Sequence, residues 1–247
     1  MSVFTGKGKS IKEEMKKREL EKKKRQDGEK LDYKKIKINK DLKKEGDSIR
    51  VRVLGAEDYT TYEAHGSYEK GIYTTPCINP TGDGENRCLM CEASKHEGYK
   101  ELKPSTRFLF AFYDIDMEMV RYIDVSYGQG GTLMDDIEEY EDSLNDVAFT
   151  LKRQGTGTKT AYKLSPILKL KGDDQARFEK AEGMTVEENF FEKALYIKST
   201  NQMGIDLENA DFDVEGLLGY EIQDESSNND GDAKQQNNEE VDPEKVF

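Results

Sequence analysis

The stretch HGSYEKGIYTTPCINPTGDGENRCLMC, residues 65–91, contains all three cysteines of a 247-residue chain and one of its two histidines. Thiolates and imidazole gathered this densely are the ligands of a borderline-soft metal ion. Cys88 and Cys91, separated by Leu89 and Met90, have the spacing of a knuckle that aims two sulfurs at one ion. Between Cys77 and Cys88 lies INPTGDGENR, a turn-rich loop able to bring a third sulfur back. A tetrahedral site needs a fourth ligand, and the spacing offers two. His65 precedes Cys77 with eleven residues between them, and His96 follows Cys91 with four between.

Two other chemistries compete for these residues. A disulfide would leave one cysteine unpaired. A redox CxxC belongs in a βαβ pattern, which does not surround this one. No fifth ligand suggests an open coordination position, so the expected site is one closed, structural zinc ion. Its binding would supply folding free energy on the order of 10 kcal/mol to a segment with little apolar surface of its own.

Composition frames the rest. Charged residues make up 36% of the chain and hydrophobic ones 34%, with no tryptophan, which is too polar for compactness throughout. The net charge of −13 is unevenly spread. Residues 206–247 hold 14 Asp or Glu against Lys234 and Lys245, a net of −12, whereas residues 1–30 hold 11 Lys or Arg against 6 acids, a net of +5. The chain reads as a basic arm at 1–30, a nearly neutral core at 31–205 and an acidic, largely disordered tail at 206–247. No apolar run approaches the roughly 18 residues of a membrane span, and no hydrophobic stretch backs the basic N-terminus as in a signal peptide. A soluble, cytoplasmic protein with no membrane partner is expected.

The elements that must carry the cluster follow from periodicity. Ile36 and Ile38 alternate with Lys35 and Lys37, and Ile49, Val51 and Val53 with Arg50 and Arg52. This period of two predicts strands with aliphatics on one face and cations on the other. Two further pairs, over 107–113 with 121–127 and over DVAFTLKRQ with KTAYKLSPI, are closed by short turns. Leu133, Ile137, Tyr140 and Leu144 recur at helical spacing before the last pair. Thr185 and Glu188 form a capping-box pattern ahead of NFFEKALYIK, predicting a helix over one end of the core. The expected fold is mainly β with a few helices: an OB-type five-stranded Greek-key barrel, with a zinc subdomain inserted at about residues 60–100 and disordered termini.

The order of a cationic alternating strand, His65-Gly66, Cys77, the CxxC at 88–91 followed by Ala93-Ser94-Lys95, and an aromatic strand pair resembles a known family. It is similar to the helix-destabilising single-stranded DNA-binding proteins of T-even bacteriophages. In that family a basic arm mediates cooperative self-association, an OB-fold core carries a zinc subdomain, and an acidic tail recruits replication and recombination proteins. The resemblance implies a sequence-independent coat for single-stranded DNA during phage replication, recombination and repair. It also implies His65, Cys77, Cys88 and Cys91 as the ligand set, in preference to His96. The present chain carries Leu-Met inside CxxC where the family has a proline, and lacks the tryptophan on which the family stacks bases.

Single strands are held by cations along the backbone and by aromatics that stack on bases, each stack contributing roughly 1–3 kcal/mol. Arg50 and Arg52, opposite the aliphatic face of their strand, are expected phosphate contacts. Phe108, Phe110 and Phe112 are expected in the core, leaving Arg107 and Tyr113 on the other face. Ile123 and Val125 likewise turn Tyr122 outward. Lys152, Arg153, Lys159 and Lys163 flank the last hairpin, and Tyr59, Tyr62, Tyr68 and Tyr73 cluster before the zinc loop as candidates for lining the groove. In the tail, Phe212, Leu217, Leu218 and the final Phe247 are expected to dock on partner proteins. Two rivals stand beside this reading. One is a zinc-containing transcription or recombination accessory protein acting mainly through protein contacts. The other, a metal-dependent nuclease, rests on Asp114 and Asp116, a DxD pair better explained by turn chemistry; no enzyme activity is expected.

Overall fold

Ile49, Val51 and Val53 do form one face of a strand, β1 (Ser48–Val53), the first of seven among the described residues of a mainly β protein. The computed structural model describes residues 33–82, 86–187 and 189–223. Contacts divide the chain between Tyr33 and Lys34. The basic arm, residues 224–247 and therefore Phe247 lie outside the described residues.

After β1 come β2 (Tyr59–Ser67) and β3 (Ile72–Pro76), a short helix α1 (Leu89–Ala93), and the long hairpin β4 (Ser105–Asp114) with β5 (Met119–Ser126). Helix α2 (Tyr127–Glu139) precedes the hairpin β6 (Ala148–Gln154) with β7 (Ala161–Ile167). Four helices follow: α3 (Asp173–Glu179), α4 (Phe190–Ala194), α5 (Thr200–Asn209) and α6 (Val214–Leu218). Every ladder between named strands is antiparallel. Arg107–Phe110 of β4 pair with β2 and Phe112–Asp114 with β1, while β5 pairs with all of these from the opposite side. A strand has only two edges, so β1 and β2 lie end to end along one edge of β4. Among the described residues no ladder joins β7 back to β3 or β5, so the sheet is open.

The core sits where the sequence places it. Phe108, Phe110 and Phe112 pack with Val51, Val53, Ile123, Val125, Phe149, Leu151 and Leu164, and Leu133 and Ile137 of α2 close over them. Gly130 makes that closure possible: a Cβ there would lie 2.4 Å from the Phe108 ring. Two expectations change. The segment carrying Ile36 and Ile38 is not a strand but a helical turn (Tyr33–Ile36) and a 3-10 turn (Ile38–Lys40), touching the sheet by one bridge from Lys37 to Tyr122. The helix expected after Thr185 is only α4, with Asn189 rather than Thr185 before its first turn.

Candidate metal centre

From Tyr59 to Ala64, β2 is held by β4; beyond Ala64 its only ladder among the described residues is with β3. The β2–β3 hairpin therefore projects past the sheet, and His65 is the first residue of the projection. Its neighbour across the hairpin is Thr75. Cys77 follows the end of β3, fixed by its amide donating to the Glu63 carbonyl at 2.8 Å. Cys88 stands immediately before α1 and Cys91 in its first turn, so one helical turn delivers both sulfurs to the same point.

The four ligand atoms lie within 4.8 Å of one another. His65 Nε2 is 3.3 Å from Cys88 Sγ and 3.6 Å from Cys91 Sγ, and Cys77 Sγ is 3.5 Å from Cys91 Sγ. Around a tetrahedral ion with ordinary zinc bond lengths, S···S edges are about 3.8 Å and S···N edges about 3.6 Å. Three of the cage's six edges thus come within about 0.3 Å of those around one such ion. His65 Nδ1 lies 2.6 Å from the Leu102 carbonyl oxygen, which can only accept, so Nδ1 carries the proton and Nε2 presents its lone pair to the sulfurs. Backbone amides of Asn79 at Cys77, and of Cys91 and Ile78 at Cys88, supply the donors that thiolates require.

Electrostatics separate the three thiols. Burial pushes Cys77 and Cys91 above the ordinary thiol range. Burial pushes Cys88 the same way, but the protonated form of His65, which donates from Nε2 as well, and the two amides outweigh it and bring that thiol down to about 7. His65, Cys77 and Cys88 are buried, and Cys91 is half-buried. His96 is no part of the cluster: its ring meets the Phe212 ring edge-on at 5.4 Å. The group is a closed His/Cys3 cage able to hold one metal ion. No family model, curated protein or solved structure matches this chain.

The cations and aromatics expected to face solvent divide into three sets. Lys152, Lys159, Lys163 and Tyr73 are exposed, and Tyr59 is half-buried against Phe108 and Phe110. Arg50, Tyr62 and Arg107 are accessible in part but engaged within the fold. The Arg50 guanidinium holds both Asp116 and Asp174, whereas Tyr62 and Arg107 share Asp124 Oδ1 at 3.0 and 2.8 Å. Arg52, Tyr113, Tyr122 and Arg153 are buried, contrary to expectation. Arg52 donates to the Phe178 and Asn145 carbonyls at 3.0 and 2.9 Å and stacks on the Phe178 ring. Arg153 donates to the Leu42 carbonyl and to Thr160 Oγ1. Strand alternation defines two faces but does not leave one of them open: Phe178 and Ala181 pack over Tyr113, and the chain around Leu42 meets Arg153.

Asp114 and Asp116 are likewise committed. Asp114 Oδ1 accepts the Asp116 and Met117 amides at 2.9 Å and Oδ2 meets Arg121 at 2.7 Å, which is turn chemistry with a buried ion pair. The largest correction concerns residues 206–223. Rather than beginning a disordered tail, they complete α5, form α6, and pack on the metal module. Phe212 is buried there between His96 and Tyr99 instead of free to dock, Leu218 is half-buried, and Leu217 is exposed. A sequence signal for this exists: Ser199 with Gln202 is a capping box, and Met203 with Leu207 repeats at helical spacing. The Leu102 carbonyl, a backbone group, gives none. Among the described residues no helix is long and apolar enough to cross a membrane.

Proposed function

We propose that this protein binds single-stranded DNA without sequence preference, on a sheet of OB type stiffened by one structural zinc ion. The observation that carries this reading is the β6–β7 hairpin. Lys152 and Lys163 are paired across its ladder, Lys159 lies near its tip, and all three are exposed with no ion pair among the described residues. Like charges directly opposite destabilise a ladder unless something anionic lies over them, and a phosphate backbone does so at regular intervals.

The strand arrangement supports the OB reading. Counting β1 and β2 as one bent strand leaves five strands in the order β5, β4, β1/β2, β6, β7, with α2 ahead of the final pair. The β2–β3 extension and α1 are then the inserted metal module. Zinc is favoured by the donor set, three thiolates and an imidazole in a tetrahedral cage with no open position. The acidic C-terminal residues are proposed to recruit replication and recombination proteins, and the basic arm to mediate self-association on DNA. The test is a titration of intrinsic tyrosine fluorescence with oligo-dT over a salt series. A single-strand binder saturates at near-stoichiometric DNA, prefers it to duplex, and loses affinity with salt. No quenching and no salt-dependent binding at low ionic strength would sink the proposal.

A second reading has its own observation. Tyr196, Ile197 and Leu217 are more than half exposed, apolar surface suited to a protein partner. An accessory protein acting through such contacts would ignore oligo-dT.

A further inference from the structure

We propose that the metal ion fastens the C-terminal helices α5 and α6 to the protein, so that ion binding and helix docking are one coupled equilibrium. The inference rests on the metal reading above and concerns what the cage holds in place.

Helix α1 is the shared part. It has five residues, too few to be stable alone, and Leu89, Met90 and Ala93 are fully buried. One side of it is fixed by the cage, since Cys88 and Cys91 are both ligand residues. The other side is covered by Met203 and Leu207 of α5, and by Phe212 and Val214 in and before α6. The two sides touch: Cys88 Sγ lies 3.9 Å from Met203 Sδ. Gly204 lets α5 come close, since a Cβ there would already meet Leu89 at 3.4 Å and Ile222 at 3.1 Å.

Polar contacts pin the same segment to residues next to the ligands. Arg87, the neighbour of Cys88, pairs with Glu92, donates to the Leu218 carbonyl at 2.5 Å and lies over the Tyr220 ring. Its own carbonyl accepts from Thr200 Oγ1 at 3.1 Å. Tyr99 donates to the Ala210 carbonyl at 2.8 Å. An empty cage leaves α1 positioned from one side only, and undocked helices leave it positioned only from the other. Linkage makes the effect reciprocal: whatever factor the ion contributes to helix docking, docking contributes to ion affinity.

The test uses the full chain. Zinc affinity is measured by competition with a chromogenic chelator in the wild type, Leu207→Ala, Tyr99→Phe and Val53→Ala, the last a core change in β1. Leu207→Ala is expected to weaken zinc about tenfold, within the usual range of coupling, and Tyr99→Phe about threefold through one lost hydrogen bond. Val53→Ala is expected to match the wild type. In parallel, chelation should speed hydrogen exchange at amides 203–218 while β6–β7 stays protected. Equal zinc affinity in all four proteins overturns the proposal, as does equal loss of protection in β6–β7 and 203–218. A wild type that takes up no zinc overturns instead the metal reading on which the proposal rests.

Discussion

His65 donates from Nδ1 to the Leu102 carbonyl at 2.6 Å, and this one hydrogen bond turns its other nitrogen toward three sulfurs. The ring is buried, so its orientation is set by the fold rather than by solvent. His65→Ala should therefore abolish stoichiometric metal uptake, as should Cys77→Ser, Cys88→Ser or Cys91→Ser. His96→Ala should retain one ion per chain. Metal content by elemental analysis of the purified variants separates the two histidines directly.

The thiols give the site a pH dependence of defined sign. In the metal-free cage Cys77 and Cys91 are held above the ordinary range by burial, so at neutral pH an arriving ion must displace both protons. Affinity therefore rises with pH, with a slope of about two decades per pH unit from these two thiols. Cys88 titrates at about 7, so below that pH a third proton must leave and the slope steepens toward about three. A chelator-competition series across neutral pH reads this out, and a pH-independent affinity would contradict it.

Lys152 and Lys163 should matter to DNA more than to stability. Replacing both by Gln removes two phosphate contacts, which lowers the salt slope for oligo-dT by about 1.4. The same double change relieves a like-charge cross-strand pair, so stability should hold or rise by a few tenths of a kcal/mol, read by thermal unfolding. Weaker DNA binding explained by lower stability would count against the assignment.

At Gly130 two effects oppose each other. Alanine improves on glycine within a helix by about 1 kcal/mol. Its methyl, however, would sit 2.4 Å from the Phe108 ring, and overpacking of that kind costs about 1–3 kcal/mol. The clash should win, so Gly130→Ala is expected to lower stability in chemical denaturation by roughly 1 kcal/mol.

The cage and the strands were legible in the sequence for a common reason: both rest on spacing along the chain. CxxC brings two sulfurs together within one turn, and alternation at Phe108, Phe110 and Phe112 marks a buried face. What covers the opposite face is a long-range matter. Arg52 is buried because Phe178, 126 residues away, packs on it and offers a carbonyl. Phe212 reads as an exposed docking residue in an acidic segment, and only the positions of His96 and Tyr99 make it core. Acidity also concealed α5, in which Glu208 is exposed and Asp206 pairs with Lys198 while Met203 and Leu207 pack on the metal module. The entry to the sheet misled for a different reason: Ile36 and Ile38 are both buried, as alternation requires, but in helical turns.

The end-to-end seating of β1 and β2 on β4 has a kinetic consequence. The hairpins β4–β5 and β6–β7 close over a few residues of turn, whereas β1 meets β6 with Ser48 opposite Lys152, across about a hundred residues of chain. Closing so long a loop costs entropy that the local hairpins do not face, so they are expected to form first. The β1–β6 ladder is then the seam that joins the two halves last, and the rate at which the chain becomes native is set there.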